Sequence, residues 1–170
     1  QITKQQKKLK EQKNLYNLVF NNVTDGVLIL KDGKFIDCNL AILKILKFTK
    51  KEEILNLTPV DLSPRYQPDG RLSSEKAEEM MALALKNGNH RFEWVHIRIN
   101  SEVFWAEISL TKIVKDNNNL LHVVWRDISE RKKLEHINTS MKEQLELAFS
   151  GSRDGLWDWN IIDNTVYYSR

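Results

Sequence analysis

The sequence predicts an α+β fold: a five-stranded antiparallel sheet with helices on one face, flanked by N- and C-terminal linker helices. Three observations lead there. Strand-like segments come as two and then three, tight turn pairs join the members of each group, and helix-period segments fall between the groups. Strands that meet through hairpins need no parallel crossover.

Residues 1 to about 22 read as helix, because Ile2, Leu9 and Tyr16 recur every seven residues while Gln5, Gln12 and Val19 fill the other seam position. The half-polar seam suits a dimer contact and a solvated lead-in helix equally. Asp25-Gly26 ends it, Val27–Leu30 is a strand, and Lys31-Asp32-Gly33-Lys34 turns into a second strand, Phe35–Cys38. Asn39 is placed to cap a helix with Ala41, Ile42, Ile45 and Leu46 on one face; Thr49, with Glu52 three residues on, is placed to cap a short one through Leu55.

All three prolines (Pro59, Pro64, Pro68) and Gly70 lie in the stretch from Thr58 to Ser74, a long loop of the kind that covers sites. Ser73 or Ser74 is expected to cap the next helix, with Ala77, Met80, Met81, Ala84 and Leu85 at helical spacing and Gly88 past its end. Strands Phe92–Ile99, Val103–Val114 and Leu120–Asp127 follow, turning at Asn100-Ser101 and over Asp116–Asn119. After Ser129 a helix carries Leu134, Ile137 and Met141 at coiled-coil spacing. Then Phe20-x4-Asp25-Gly26 reappears one domain length later as Phe149-x4-Asp154-Gly155, again closing a helix, which points to a tandem repeat cut off at Arg170.

Composition excludes several classes. The 26 basic and 23 acidic residues leave a net charge of +3, weak grounds for nucleic acid and none for a membrane surface. Cys38 is the only cysteine, so an intramolecular disulfide framework, a multi-cysteine zinc site and a Cys-x-x-Cys pair are out, and a reducing, cytoplasmic setting is expected. No apolar run approaches the roughly 20 residues that cross a bilayer. Any membrane link is expected from parts of a longer parent, since the N-terminus has neither a signal-peptide core nor an initiator Met. His90, His96, His122 and His136 lack metal-ligand spacing, and no nucleophile and base pair stands out, so this chain is not expected to be an enzyme.

Over about residues 15 to 130 the chain resembles the PAS sensor family. The resemblance rests on the element order, on Phe35-Ile36-Asp37-Cys38-Asn39-Leu40-Ala41 and above all on Trp125-Arg126-Asp127-Ile128-Ser129-Glu130-Arg131-Lys132. That last segment looks like the Asp-Ile-Thr-Glu-Arg motif closing many bacterial PAS domains, with Ser129 in place of Thr. Gly155-Leu156-Trp157-Asp158-Trp159 looks like the opening of another PAS domain. The expected layout is a linker helix (1–14), a PAS sensor domain (15–130), a second linker helix (131–148) and the truncated start of a second PAS domain (149–170). The resemblance implies a sensory module of a bacterial signal-transduction protein, responding to a small ligand and signalling through its flanking helices to an absent effector such as a histidine kinase or a diguanylate cyclase. The alternative is a ligand-free structural module for dimerisation or protein interaction. A homodimer is expected in either case, with no nucleic acid.

Candidate site residues concentrate on two strands, Arg91–His96 and Phe104–Ile108. A two-residue turn at Asn100-Ser101 sets Val95 and Ile97 on the face of Phe104 and Ala106, whereas a bulge sets Trp94 and His96 there. The resemblance favours the second register and implies a pocket lined by Phe92, Trp94, Ala106, Ile108 and Trp125, with His96 as a polar contact. The competing reading is a filled core in which His96 is simply hydrogen-bonded. Asp127 and Ser129 are the expected signal-coupling joint between the last strand and the linker helix, Ser129 accepting from a helix N–H and Asp127 complementing the helix dipole. Flavin photochemistry of the light-sensing type is disfavoured by the resemblance, because Cys38 sits on an early strand. Haem is disfavoured too, because the helix around Ser74 to Asn87 carries no His. A non-covalent flavin or another small organic ligand stays open.

Overall fold

The computed structural model describes residues 3–152, 157–160 and 162–168. They divide into two units, Gln1–Ser129 and Glu130–Arg170. The first holds α1 (Lys4–Asn22), β1 (Gly26–Lys31), β2 (Lys34–Cys38), α2 (Leu40–Leu46), α3 (Ser73–Asn87), β3 (Asn89–Ile97), β4 (Val103–Lys115) and β5 (Asn118–Asp127). The five strands form one antiparallel sheet, as expected from the sequence, and the structure gives their order as β2-β1-β5-β4-β3.

The turns follow from local chemistry. Asp32 and Gly33 both have positive φ (48° and 78°), as do Asp116 and Asn117 (48° and 59°), and these two-residue turns close β1–β2 and β4–β5. The β3–β4 turn is different. Ser101 N–H donates to Arg98 C=O, Arg98 N–H donates to Glu102 C=O, and Ser101 is left-handed at φ 65°. This is a three-residue loop, and it fixes the register at Trp94 opposite Ala106 and His96 opposite Phe104.

Buried Asn39 ties the N-terminal half together. Its Oδ1 accepts from Val27 N–H (2.9 Å) and from Ile42 N–H at the start of α2 (3.1 Å), while its Nδ2 donates to the carbonyls of Phe20 and Asp25. Gly26 is glycine for want of space: a Cβ there would lie 2.6 Å from Ile42 Cδ1. The sheet's inner face and the helical layer share one core, with Leu28, Phe35, Ile42, Leu46, Ala84, Phe104 and Trp125 essentially inaccessible to solvent. α1 buries none of its side chains, and its described apolar residues Leu9, Tyr16 and Val19 are exposed.

Two capping expectations are corrected. After Thr49 there is only a 3₁₀ turn (Lys51–Glu53), closed not by Glu52 but by the Glu53 carboxylate, which accepts from the N–H groups of Thr49 and Lys50. Ser73 is the first residue of α3 rather than its cap. Its hydroxyl is spent on the preceding loop, donating to Pro64 C=O and accepting from Gln67 Nε2.

In the second unit, α4 (Ser129–Ser152), counted from its first residue, leads to a small two-stranded sheet of β6 (Trp157–Asn160) and β7 (Thr165–Tyr168). Leu134, Ile137, Met141 and Leu145 are exposed on α4. Asp154 and Gly155 of the repeated motif, and Leu156 after them, lie outside the described residues.

Candidate functional site

The three-residue β3–β4 turn decides which side chains face the helices. With Trp94 opposite Ala106 and Ile108 opposite Trp125, the inner face presents Phe92, Trp94 and His96 from β3, Ile108 and Leu110 from β4, and Val123 and Trp125 from β5. Together with Leu30, Phe35, Pro59, Ala77, Met80 and Met81 these residues wall a cavity of about 30 Å³. Of the expected pocket residues, Phe92, Trp94, His96, Ile108 and Trp125 line it. Ala106 is fully buried in the same layer but does not line the cavity.

The aromatic wall is continuous. Phe92 meets Trp94 edge-on at 5.7 Å, and the His96 ring stacks on Trp125 with centroids 3.7 Å apart. Phe35 closes the far end against Trp125.

The long loop is pinned to this wall through hydrogen bonds. Trp94 Nε1 donates to Ser63 Oγ (2.9 Å), which donates onward to Pro59 C=O. His96 Nδ1 lies 2.9 Å from Leu62 C=O, which can only accept, so the proton is on Nδ1 and Nε2 carries the lone pair. Gln67 covers the outer edge of β3: its Oε1 accepts from Val95 N–H and its Nε2 donates to Val95 C=O, so a buried side-chain amide stands where a sixth strand would pair. Nothing in the sequence singles out Ser63 or Gln67, since both are ordinary polar loop residues. Met80-Met81 on the apolar stripe of α3 was a usable signal, because methionine fills irregular spaces.

His96 is the one titratable group in the wall. Burial pushes its pKa down to about 3 against the opposing Leu62 bond, so the ring is neutral at ordinary pH. Its Nε2 is buried with no hydrogen-bond partner among the protein groups. Among the described residues no cluster of three or more His, Cys, Asp or Glu could hold a metal ion.

The strand-to-helix joint differs from expectation in which group caps. The Asp127 carboxylate, not the Ser129 hydroxyl, accepts the Ser129 N–H at 2.9 Å; the hydroxyl instead accepts from Trp105 N–H of β4 at 3.1 Å. Ser129 as helix cap is thus corrected to Ser129 as sheet anchor. The reason is geometric: Ile128 N–H donates to Trp105 C=O, continuing the ladder one residue past β5 and leaving Ser129 beside the strand. Asp127 also pairs with Arg98 (2.5 Å), whose guanidinium donates to Ile45 C=O of α2 and lies 4.0 Å over the Phe104 ring. Burial opposes ionisation of Asp127, yet the Ser129 hydrogen bonds and Arg98 bring its pKa below the usual carboxylate value.

No helix among the described residues is long and apolar enough to cross a membrane. Comparison with known proteins agrees with this architecture. The PAS domain family matches residues 24–130. A probable diguanylate cyclase, DgcE, of Escherichia coli K12 is 22% identical over 145 residues; these cover 84% of this chain but only 13% of that relative's length. A domain of a sensory box sensor histidine kinase/response regulator from Geobacter sulfurreducens is 25% identical, with a TM-score of 0.54 over 68% of this chain and 95% of that one. The PAS domain of a LuxR-family transcriptional regulator from Burkholderia thailandensis, solved in complex with ethanol, is 17% identical, with a TM-score of 0.55 over 67% of this chain and 97% of that one.

Proposed function

Because the chain belongs to the PAS domain family, sensory modules of the kind found in bacterial signalling proteins, we propose that residues 15–130 sense a small ligand held between the sheet and α3. The observation that carries this reading is the cavity walled by Phe92, Trp94, His96, Ile108 and Trp125, one of whose wall residues, His96, has a buried nitrogen with no protein partner. Occupancy would press on β5 and on the loop pinned through Trp94 and His96. Trp125 is two residues from Asp127, so a shift of β5 would reach the Arg98–Asp127–Ser129 joint and then α4. The effector is proposed to be a histidine kinase or a diguanylate cyclase in a longer, cytoplasmic portion of the parent protein, with residues 149–170 opening a second PAS domain. The partner is proposed to be a second copy, meeting through Leu9, Tyr16 and Val19 of α1 and Leu134, Ile137 and Met141 of α4, all exposed.

A second reading, a ligand-free interaction module, is favoured by the size of the cavity. About 30 Å³ is far below the roughly 300–1,000 Å³ of ordinary ligand pockets. A flavin or haem would need a large rearrangement, and even a compact ligand would need the wall to give, since a single water takes about 30 Å³ in the liquid. Native mass spectrometry of the purified chain, alone and after exposure to a library of small fragments, separates the readings. A bound mass that is lost when Ala77 on the cavity wall is enlarged to Leu supports sensing. No adduct with any fragment, together with unmoved Met80 and Met81 methyl resonances, supports the ligand-free module.

A further inference from the structure

We infer that α4 carries two overlapping seams for the α4 of a second copy, and that the copies pair through either one; this rests on the second-copy reading above. In the first seam Leu134, Ile137, Met141, Gln144 and Ala148 follow one another at spacings of three, four, three and four. In the second, Leu134, Asn138, Met141, Leu145 and Ala148 follow at four, three, four and three. Both patterns are coiled-coil seams. They share Leu134, Met141 and Ala148, and each adds one aliphatic and one amide side chain, Ile137 with Gln144 or Leu145 with Asn138. All of these positions are exposed on α4.

Neither seam wins on composition, and moving from one to the other turns the helix by only about 50°. Flanking charges divide the same way. In the second seam Glu130 and Glu135 take the g and e positions that face each other across a parallel pair and repel, whereas the first seam puts Lys133 and Asn138 there. Against that repulsion, the second seam sets Asn138 at an a position, where an asparagine pairs with the same residue of an identical, parallel helix. That pairing is why the occupant is a second copy of this chain. α4 begins where Asp127 accepts from Ser129 N–H and the Ser129 hydroxyl accepts from Trp105 N–H, so a small turn of its first residues selects the seam.

The test introduces single cysteines into the whole 170-residue chain as Leu134→Cys, Ile137→Cys, Met141→Cys and Leu145→Cys, with Glu143→Cys as a position outside both seams. The native Cys38 is buried and stays in place. Disulfide-linked dimer is followed under mild oxidation by copper phenanthroline. The expected result is fast cross-linking at 134 and 141, comparable cross-linking at 137 and 145, and little at 143. Adding Asn138→Leu should favour 145 over 137 by about fivefold, and Gln144→Leu should do the reverse. Cross-linking at only one of 137 and 145, or a ratio between them that neither substitution moves, overturns the two seams and leaves the paired copies standing. No cross-linking at 134 and 141, or equal cross-linking at 143, overturns both readings.

Discussion

The two faces of the β3–β5 sheet are built from alternate residues of the same strands and have opposite chemistry. Inward lie Trp94, His96, Ile108, Leu110, Val123 and Trp125, buried and apolar but for ring nitrogens, of which Trp94 Nε1 and His96 Nδ1 bond to the loop. Outward lies a shallow depression lined by Asp25, Arg91, Glu107, Ser109, Val124 and Arg126, where Arg91 pairs with Glu107 (2.5 Å) and Arg126 with Asp25 (2.8 Å). Every charge on the outer face can find water or a neighbour, so no single one matters much. Among the described residues the buried side-chain atoms with no hydrogen-bond partner are His96 Nε2 and Arg98 Nε, one on β3 and one just past its end. A one-residue slip of β3 would exchange its inner and outer residues. The three-residue turn ending at Ser101 therefore positions the site as much as any residue in it.

The sharpest break of this comparison is a pair of truncations on adjacent residues. Trp125→Ala removes a fully buried indole and should lower unfolding free energy by roughly 3–5 kcal/mol. Arg126→Ala should leave the urea midpoint much closer to wild type, since the Arg126 side chain is itself exposed and its ion pair lies at the surface. Comparable losses in the two variants would mean the faces are not distinct in energy.

Acid should expose the second difference. The His96 pKa is depressed from 6.5 to about 3 on folding, chiefly by burial, so the unfolded chain binds this proton first. The stability difference is therefore fully in favour of the fold above pH 6.5 and is lost as pH falls toward 3, at about 1.4 kcal/mol per pH unit. At pH 4.5 the loss from this group is roughly 3 kcal/mol. His96→Phe should flatten that part of the curve in urea titrations between pH 7 and 4.5, and an unchanged slope would place the proton elsewhere.

The sheet was legible from sequence because its turns are chemically explicit: Asp32-Gly33 and Asp116-Asn117 announce left-handed pairs, and Gly88 ends α3. The β3–β4 register was not. Ser101 in a left-handed conformation carries no composition signal, so from the residues alone two registers fitted equally until the hydrogen bonds of Arg98 were seen. The aromatic and His members of the site were readable as a cluster on one strand. Their partners were not, because the carbonyls of Pro59 and Leu62 and the amide of Gln67 act through backbone geometry that any residue type could supply.

Gln67 tests whether the loop holds the inner face in place. Gln67→Leu keeps the volume but leaves Val95 N–H and C=O at the β3 edge without their partner, at a cost of about 1–3 kcal/mol. Amide exchange should accelerate at Val95 more than at Val123, which lies on a central strand. Equal acceleration at both would show general softening instead of a local edge effect.

The smallest expected effect is at the joint. Ser129→Ala deletes the acceptor for Trp105 N–H and the hydroxyl's own contact with Asp127, but keeps the Asp127 carboxylate on the Ser129 backbone N–H. Stability should fall by about 1 kcal/mol. Asp127→Asn instead removes the charge facing Arg98 while keeping an acceptor for the helix, so the two variants separate anchoring to the sheet from pairing to α2 through Ile45. If the joint transmits strain from β5, Ser129→Ala should free α4, and amide exchange in residues 130–134 should quicken while β5 stays protected. Unchanged exchange there would make the hydroxyl an ordinary sheet contact and would move any coupling onto the Arg98–Asp127 pair.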